Sequence, residues 1–229
     1  EILIGLVGSE MCIRDRLEPG ETPAENAQFL LFLCAVIQAV DDYQDMLRIS
    51  VASAANDHRL GANEAPPAVV SMYVGDEIEN ILDAIVNETS YAGQEKELLK
   101  IGVHALPRFP KDTTDRNRTS PFAFTGNRFE FRAVGSIANC ASALIALNTA
   151  VAEALTDFHA RVEALIAKGE SKVSAILDVL REDIKTCKPI HFDGNGYSDE
   201  WKAEAARRGL DCETSCPLIF DRYLDDSSV

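Results

Sequence analysis

The run Arg128-Phe129-Glu130-Phe131-Arg132 alternates charge and aromatic ring at every step, and a period of two is the signature of an extended strand. Successive side chains of a strand point to opposite faces. Phe129 and Phe131 are therefore expected to face a core. Arg128, Glu130 and Arg132 then stand in a row on the other face, about 7 Å from one to the next. Two guanidiniums flanking a carboxylate suit a site that holds a metal ion and a polyanion together. The carboxylate ligates Mg²⁺ or Mn²⁺, and the arginines fork onto phosphate or carboxylate oxygens. The same pattern also fits an amphipathic edge strand laced by surface ion pairs, so charge alone leaves both readings open.

Local charge sharpens the choice. The chain carries −15. Residues 108–132 hold six basic residues against three acids, a balance of +3, so the remainder carries −18. A basic cluster in an acidic protein points to a small anionic ligand and away from nucleic acid or an anionic membrane surface. The longest apolar run, Phe29 to Ile37, is too short to span a bilayer and reads as a buried helix. Six cysteines show no paired spacing; Cys34 and Cys140 lie in apolar runs and are expected to be reduced core residues in a cytoplasmic protein.

Along the chain, Ala24–Leu47 reads as one helix, Arg48–Ala52 as a short β-rich run, Asn56–Pro67 as a loop, and Ala68–Val74 as a strand. Gly75-Asp76-Glu77 opens a helix to Val86 with acids in its first turn. Ile101–Leu106 and Arg128–Val134 read as strands around an arginine-rich loop. A long helix over Ala138–Ala167 follows, its first half expected to be buried on most sides. Helices over Ser171–Thr186 and from an N-cap at Ser198 to Arg208 complete the pattern, with Trp201 as a packing anchor. Strands and helices do not alternate regularly, so the fold class is α+β.

Two blocks give the chain a resemblance to glutamine synthetase, in its large type III form. The first is Asn56-Asp57-His58-Arg59, a short loop, then Glu64-Ala65-Pro66. The second is Asn117-Arg118-Thr119, followed by Arg128-Phe129-Glu130-Phe131-Arg132. Their order and spacing match, and the resemblance runs from Leu17 to Leu210. Where most of the family has a further arginine in an Arg-x-Pro context, this chain has Ser120-Pro121-Phe122, a variant that resembles type III. The resemblance implies an antiparallel catalytic sheet packed by helices. It divides the chain into residues 17–168, the C-terminal part of a catalytic domain, and 169–229, the start of a helical C-terminal region. Residues 1–16 resemble a translated sequencing adapter and are read as non-native.

The same resemblance implies the roles. Glu130 ligates the metal that bridges ATP phosphates, and Arg128 contacts those phosphates. Arg118 stabilises the transferring phosphoryl group. Arg59 and Arg132 hold substrate glutamate, and Glu64 takes a proton from ammonium. Implied too are ATP with Mg²⁺ or Mn²⁺, a cytoplasmic location, and a homo-oligomer, a dodecamer in the full-length parent. No histidine here is followed two residues on by Asn, the context of a family metal ligand. The chain is therefore expected to hold half an active site and to be inactive alone. Alternatives are a ligase of the same fold acting on another amine, and a non-catalytic regulatory homologue.

Overall fold

The computed structural model describes residues 16–62, 65–91, 120–135 and 138–221. Helix α1, Ala27–Asp42, starts where the Asn26 side chain accepts a hydrogen bond from the Phe29 amide at 3.1 Å. Its apolar run is a core face as expected: Phe29, Leu33 and Val40 are fully buried, and burial of each such side chain stabilises by roughly 2 kcal/mol. The single helix expected over 24–47 is two helices. The chain breaks at Tyr43 (φ −117, ψ 33) and restarts as α2, Gln44–Ser50. The Gln44 side chain holds the break by donating to the Asp41 carbonyl at 3.0 Å and accepting from the Asp211 amide at 2.8 Å.

Of the β-rich run expected at Arg48–Ala52, Arg48–Ser50 form the end of α2. Its β-branched residues yield to a tertiary demand. Arg48, 3% exposed, donates from Nε to the Glu213 carbonyl at 3.0 Å and from a terminal nitrogen to Asp57 at 3.1 Å. The loop expected over 56–67 begins as helix α3, Ala54–Arg59, capped by the Ser53 hydroxyl.

The sheet has three short strands, β1 Met72–Tyr73, β2 Phe122–Phe124 and β3 Phe129–Phe131, in the order β1-β2-β3. The antiparallel pairing expected of the sheet holds between β2 and β3, whereas β1 joins β2 in parallel. Of the strand expected at Ala68–Val74, only Met72–Tyr73 makes ladder pairs. The expected strand Ile101–Leu106 lies outside the described residues.

Helices α4, Asp76–Val86, α5, Ala141–Ala167, α6, Lys172–Cys187, α7, Asp199–Arg207, and α8, Cys216–Asp221, complete the α+β fold. The Ser171 and Ser198 side chains cap α6 and α7 by accepting from the Ser174 and Trp201 amides. Trp201 is buried and stacks on Phe192 with ring centroids 3.6 Å apart. Helices α1, α5 and α6 pack on one another and form the core beside the sheet. Among the described residues no helix is long and apolar enough to cross a membrane.

Two expectations fail at the start of α5. Of its first ten residues only Ala143 and Ala150 are buried, while Leu144 is 51% and Ile145 67% exposed. Cys140 is exposed rather than part of the core; Cys34 is buried. Composition reports that a stretch is apolar, but not whether a neighbour is at hand to cover it.

Helices α5 and α6 are tied by one ion-pair cluster. Arg161 lies 2.6 Å from the buried Asp183 and 2.9 Å from Glu182, and also bonds Asp157. Burial pushes the Asp183 carboxyl above the ordinary carboxylate range, against the pull of Arg161. Removal of the arginine strands a buried charge. Arg161→Ala is expected to lower the unfolding free energy by about 3 kcal/mol at pH 7, measured by urea denaturation. A carboxyl raised in the folded state favours folding at low pH and loses that contribution as pH rises through its folded value. Part of the deficit of the variant should therefore return on acidification.

Candidate functional site

Strand β3 sets the site. Phe131 pairs with Phe122, Glu130 with Ala123 and Phe129 with Phe124 across the β2–β3 ladder. The Phe122 and Phe131 rings stack at 4.2 Å, and the Phe124 and Phe129 rings meet at 5.3 Å. With both aromatic residues of β3 spent on the core side, Glu130 must face the other way.

There it is held by three groups. Arg132 donates to Glu130 Oε2 from both Nε and a terminal nitrogen at 3.1 Å. Arg128 donates to Oε1 at 3.2 Å, and the Thr125 hydroxyl to the same oxygen at 3.3 Å. Partial burial works to raise the Glu130 pKa. The hydrogen bond and charge of Arg132, then of Arg128, outweigh it and leave the carboxyl below its ordinary value of 4.5. The two arginines differ in setting: Arg128 is 69% exposed at its side chain and Arg132 14%.

Helix α3 brings a third arginine to the same end of the strand. Arg59 donates from a terminal nitrogen to the Val134 carbonyl at 2.8 Å and from Nε to Asn56 Oδ1 at 3.0 Å. Among the described residues two of its five N–H donors are spent in this way. Asn56 is itself buried and bonds the Ala133 carbonyl at 2.8 Å. Beyond α3 the Gly61 amide donates to the Pro66 carbonyl at 2.8 Å. The Tyr197 hydroxyl reaches across to the Ala65 carbonyl at 2.7 Å.

Four of the six expected site residues, Arg59, Arg128, Glu130 and Arg132, thus gather around β3 and its exit. Glu64 and Arg118 lie outside the described residues. His58 is exposed. Sequence reasoning missed Asn56 and Tyr197. With 56–67 read as a loop, the three-residue spacing that sets Asn56 under Arg59 on one helix face had no meaning. Nothing local ties Tyr197 to a loop more than a hundred residues away.

The donor set has one carboxylate suited to a hard cation. Among the described residues no group of three His, Cys, Asp or Glu side chains converges as a metal cage. A single carboxylate still fits Mg²⁺ or Mn²⁺ when substrate phosphates and water supply the other ligands. A wide cleft elsewhere, lined by Asp41, Asp42, Asp45, Glu153 and Asp211 with no basic residue, has the wrong charge for a polyanion.

Residues 175–229 match the family described as glutamine synthetase C-terminal domain. Over 213 residues the chain is 51% identical to a glutamine synthetase of Bacteroides fragilis (strain YCH46), covering 92% of this chain and 29% of that protein. It is 47% identical over 213 residues to a type-3 glutamine synthetase of Dictyostelium discoideum, covering 93% and 29%. A glutamine synthetase of Butyrivibrio fibrisolvens is 42% identical over 214 residues, covering 93% and 30%. The chain therefore spans about three tenths of the length of the curated relatives it matches.

The ion-pair geometry makes a prediction of its own. Followed by carbon-13 NMR, Glu130 is expected to titrate below 4.5, and to move up in Arg132→Ala. A depressed carboxyl stabilises the fold above its unfolded value, and that contribution is lost as pH falls through the folded one. An Arg132→Ala variant whose Glu130 titration is unmoved would show that Arg132 is not the group holding it.

Proposed function

This chain is homologous to the glutamine synthetases, the type-3 form among them, and from that premise we propose that it forms the phosphate- and glutamate-binding part of an ATP-dependent glutamate–ammonia ligase. The observation that carries the reading is the row Arg128–Glu130–Arg132 on one face of β3, with Arg59 anchored two residues beyond it.

A carboxylate is a poor electrophile, so the reaction has two steps. A γ-carboxylate oxygen of glutamate attacks the γ-phosphorus of ATP; the bridging P–O bond breaks and ADP leaves. Arg118 and Arg128 would neutralise charge on the phosphoryl oxygens, and one such arginine is worth about 10³-fold or more in rate. Ammonia then attacks the acyl carbon, its C–O bond to phosphate breaks, and inorganic phosphate departs. Glu64 would take the proton released by ammonium. Arg59 and Arg132 would hold the glutamate against this centre, and exclusion of water protects the acyl phosphate. Glu130 would ligate Mg²⁺ or Mn²⁺, which supplies Lewis-acid charge at the phosphates when bound.

Residues 17–168 would then complete a catalytic domain and 169–229 begin a helical region, in a cytoplasmic homo-oligomer of the full-length protein. The described cysteines are free thiols, a state that a reducing compartment maintains. Because the chain spans about three tenths of the length of its relatives, it is expected to be inactive alone.

The test is a chimera in which residues 17–221 replace the matching segment of the Bacteroides fragilis enzyme. With ATP, Mg²⁺ and glutamate it should release phosphate in an ammonium-dependent manner. Glu130→Ala should lower kcat by roughly 10²-fold or more. A folded chimera that releases no phosphate, while the unaltered enzyme does so, would overturn the reading. Release only with another amine would reassign the substrate.

A further inference from the structure

We infer that Asn56 is a positioning residue that sets the guanidinium of Arg59, and through it the affinity for glutamate. The inference rests on the proposed reading of Arg59 as a substrate-binding arginine. Asn56 is 3% exposed, on the buried side of α3. Its Nδ2 donates to the Val51 carbonyl at 2.7 Å and to the Ala133 carbonyl at 2.8 Å. Its Oδ1 accepts from Arg59 Nε at 3.0 Å. Only one orientation of the amide satisfies all three contacts, because carbonyls cannot donate and a guanidinium cannot accept. The side chain therefore cannot flip without losing every partner.

The consequence is geometric. The Ala133 and Val134 carbonyls follow Arg132 directly, and one is held by Asn56 and the other by Arg59. The amide thus fastens α3 to the exit of β3 and orients the Arg59 fork in the same contact. Two arginines from separate elements are held in a fixed relation before any ligand arrives, which is the kind of preorganisation that lowers the cost of binding. The chain also passes close over the amide: a Cβ at Gly135 would lie 3.3 Å from Asn56 Oδ1. Aspartate has no donors for the two carbonyls, and glutamine is one methylene longer. A generic packing residue would need none of this.

The experiment uses the chimera, with kcat and KM measured separately for glutamate and ATP. Asn56→Ala should raise KM for glutamate roughly tenfold, the scale of a lost hydrogen bond to a charged group, with KM for ATP unchanged within twofold. In an Arg59→Ala background the same substitution should add nothing to KM for glutamate, since its effect passes through Arg59. Asn56→Asp keeps an acceptor for Arg59 while losing both donors. It should lower thermal stability yet raise KM for glutamate less than Asn56→Ala does, and it serves where Asn56→Ala fails to fold. Equal rises in both KM values, full additivity with Arg59→Ala, or Asn56→Asp as impaired for glutamate as Asn56→Ala would each overturn the positioning role. An unsubstituted chimera that neither binds nor turns over glutamate would instead overturn the functional reading and this inference with it.

Discussion

The stacking of Phe131 on Phe122 decides which way Glu130 faces. A strand has only two faces, and a slip of one residue in the β2–β3 ladder would exchange them, turning the carboxylate into the core and the rings into solvent. The second ring pair, Phe129 on Phe124, is anchored to α1 by the Phe124–Phe29 contact at 5.7 Å, which makes the slipped register expensive. The three-residue strand pair is too short to hold itself by backbone hydrogen bonds alone. The aromatic side thus fixes the ionic side. The chemistry of Arg128, Glu130 and Arg132 follows from packing that none of them takes part in.

The helical C-terminal half braces this arrangement through two hydrogen bonds. Asp57, on α3, takes the buried Arg48 from one side and the Cys216 amide at 2.8 Å from the other. Tyr197, just before α7, holds the Ala65 carbonyl. The residues that match the C-terminal family therefore reach back to the helix that carries Arg59 and to the loop that follows it. A substitution in α8 can act at the site through Asp57 without touching any ligand. Such effects travel through hydrogen bonds to backbone, which tolerate little displacement.

Much of this was legible in the sequence where one element could be read by itself. The alternation at 128–132 gave the strand and its two faces. Acids in the first turn placed α4, and Ser171 and Ser198 marked the starts of α6 and α7. What failed to show depended on distant partners. The break at Tyr43 is held by Gln44 bridging to Asp211. The helical state of Arg48 answers to Asp57 and Glu213, and a six-residue helix at Ala54–Arg59 is too short for a period of 3.6 to declare itself. The candidate site followed the same division. Its charged residues announced themselves by pattern and family resemblance, but the neutral amide of Asn56 stood inside a quoted block without a role.

The ion pairs on β3 also keep a patch of positive charge on a strongly acidic chain. Glu130 is shared by two guanidiniums, so the row carries a net positive charge whether or not a cation is near. The same two guanidiniums hold the Glu130 carboxyl below its ordinary pKa. A neutral carboxyl would release the arginines from their fixed geometry and could not ligate a hard cation. A phosphate group arriving at Arg128 meets a guanidinium that is largely in water and shares one contact, so little must be broken to bind it. Arg132, sheltered and doubly bonded, is costlier to move. The difference in exposure between two arginines four residues apart thus sets how readily each can leave Glu130 for another anion.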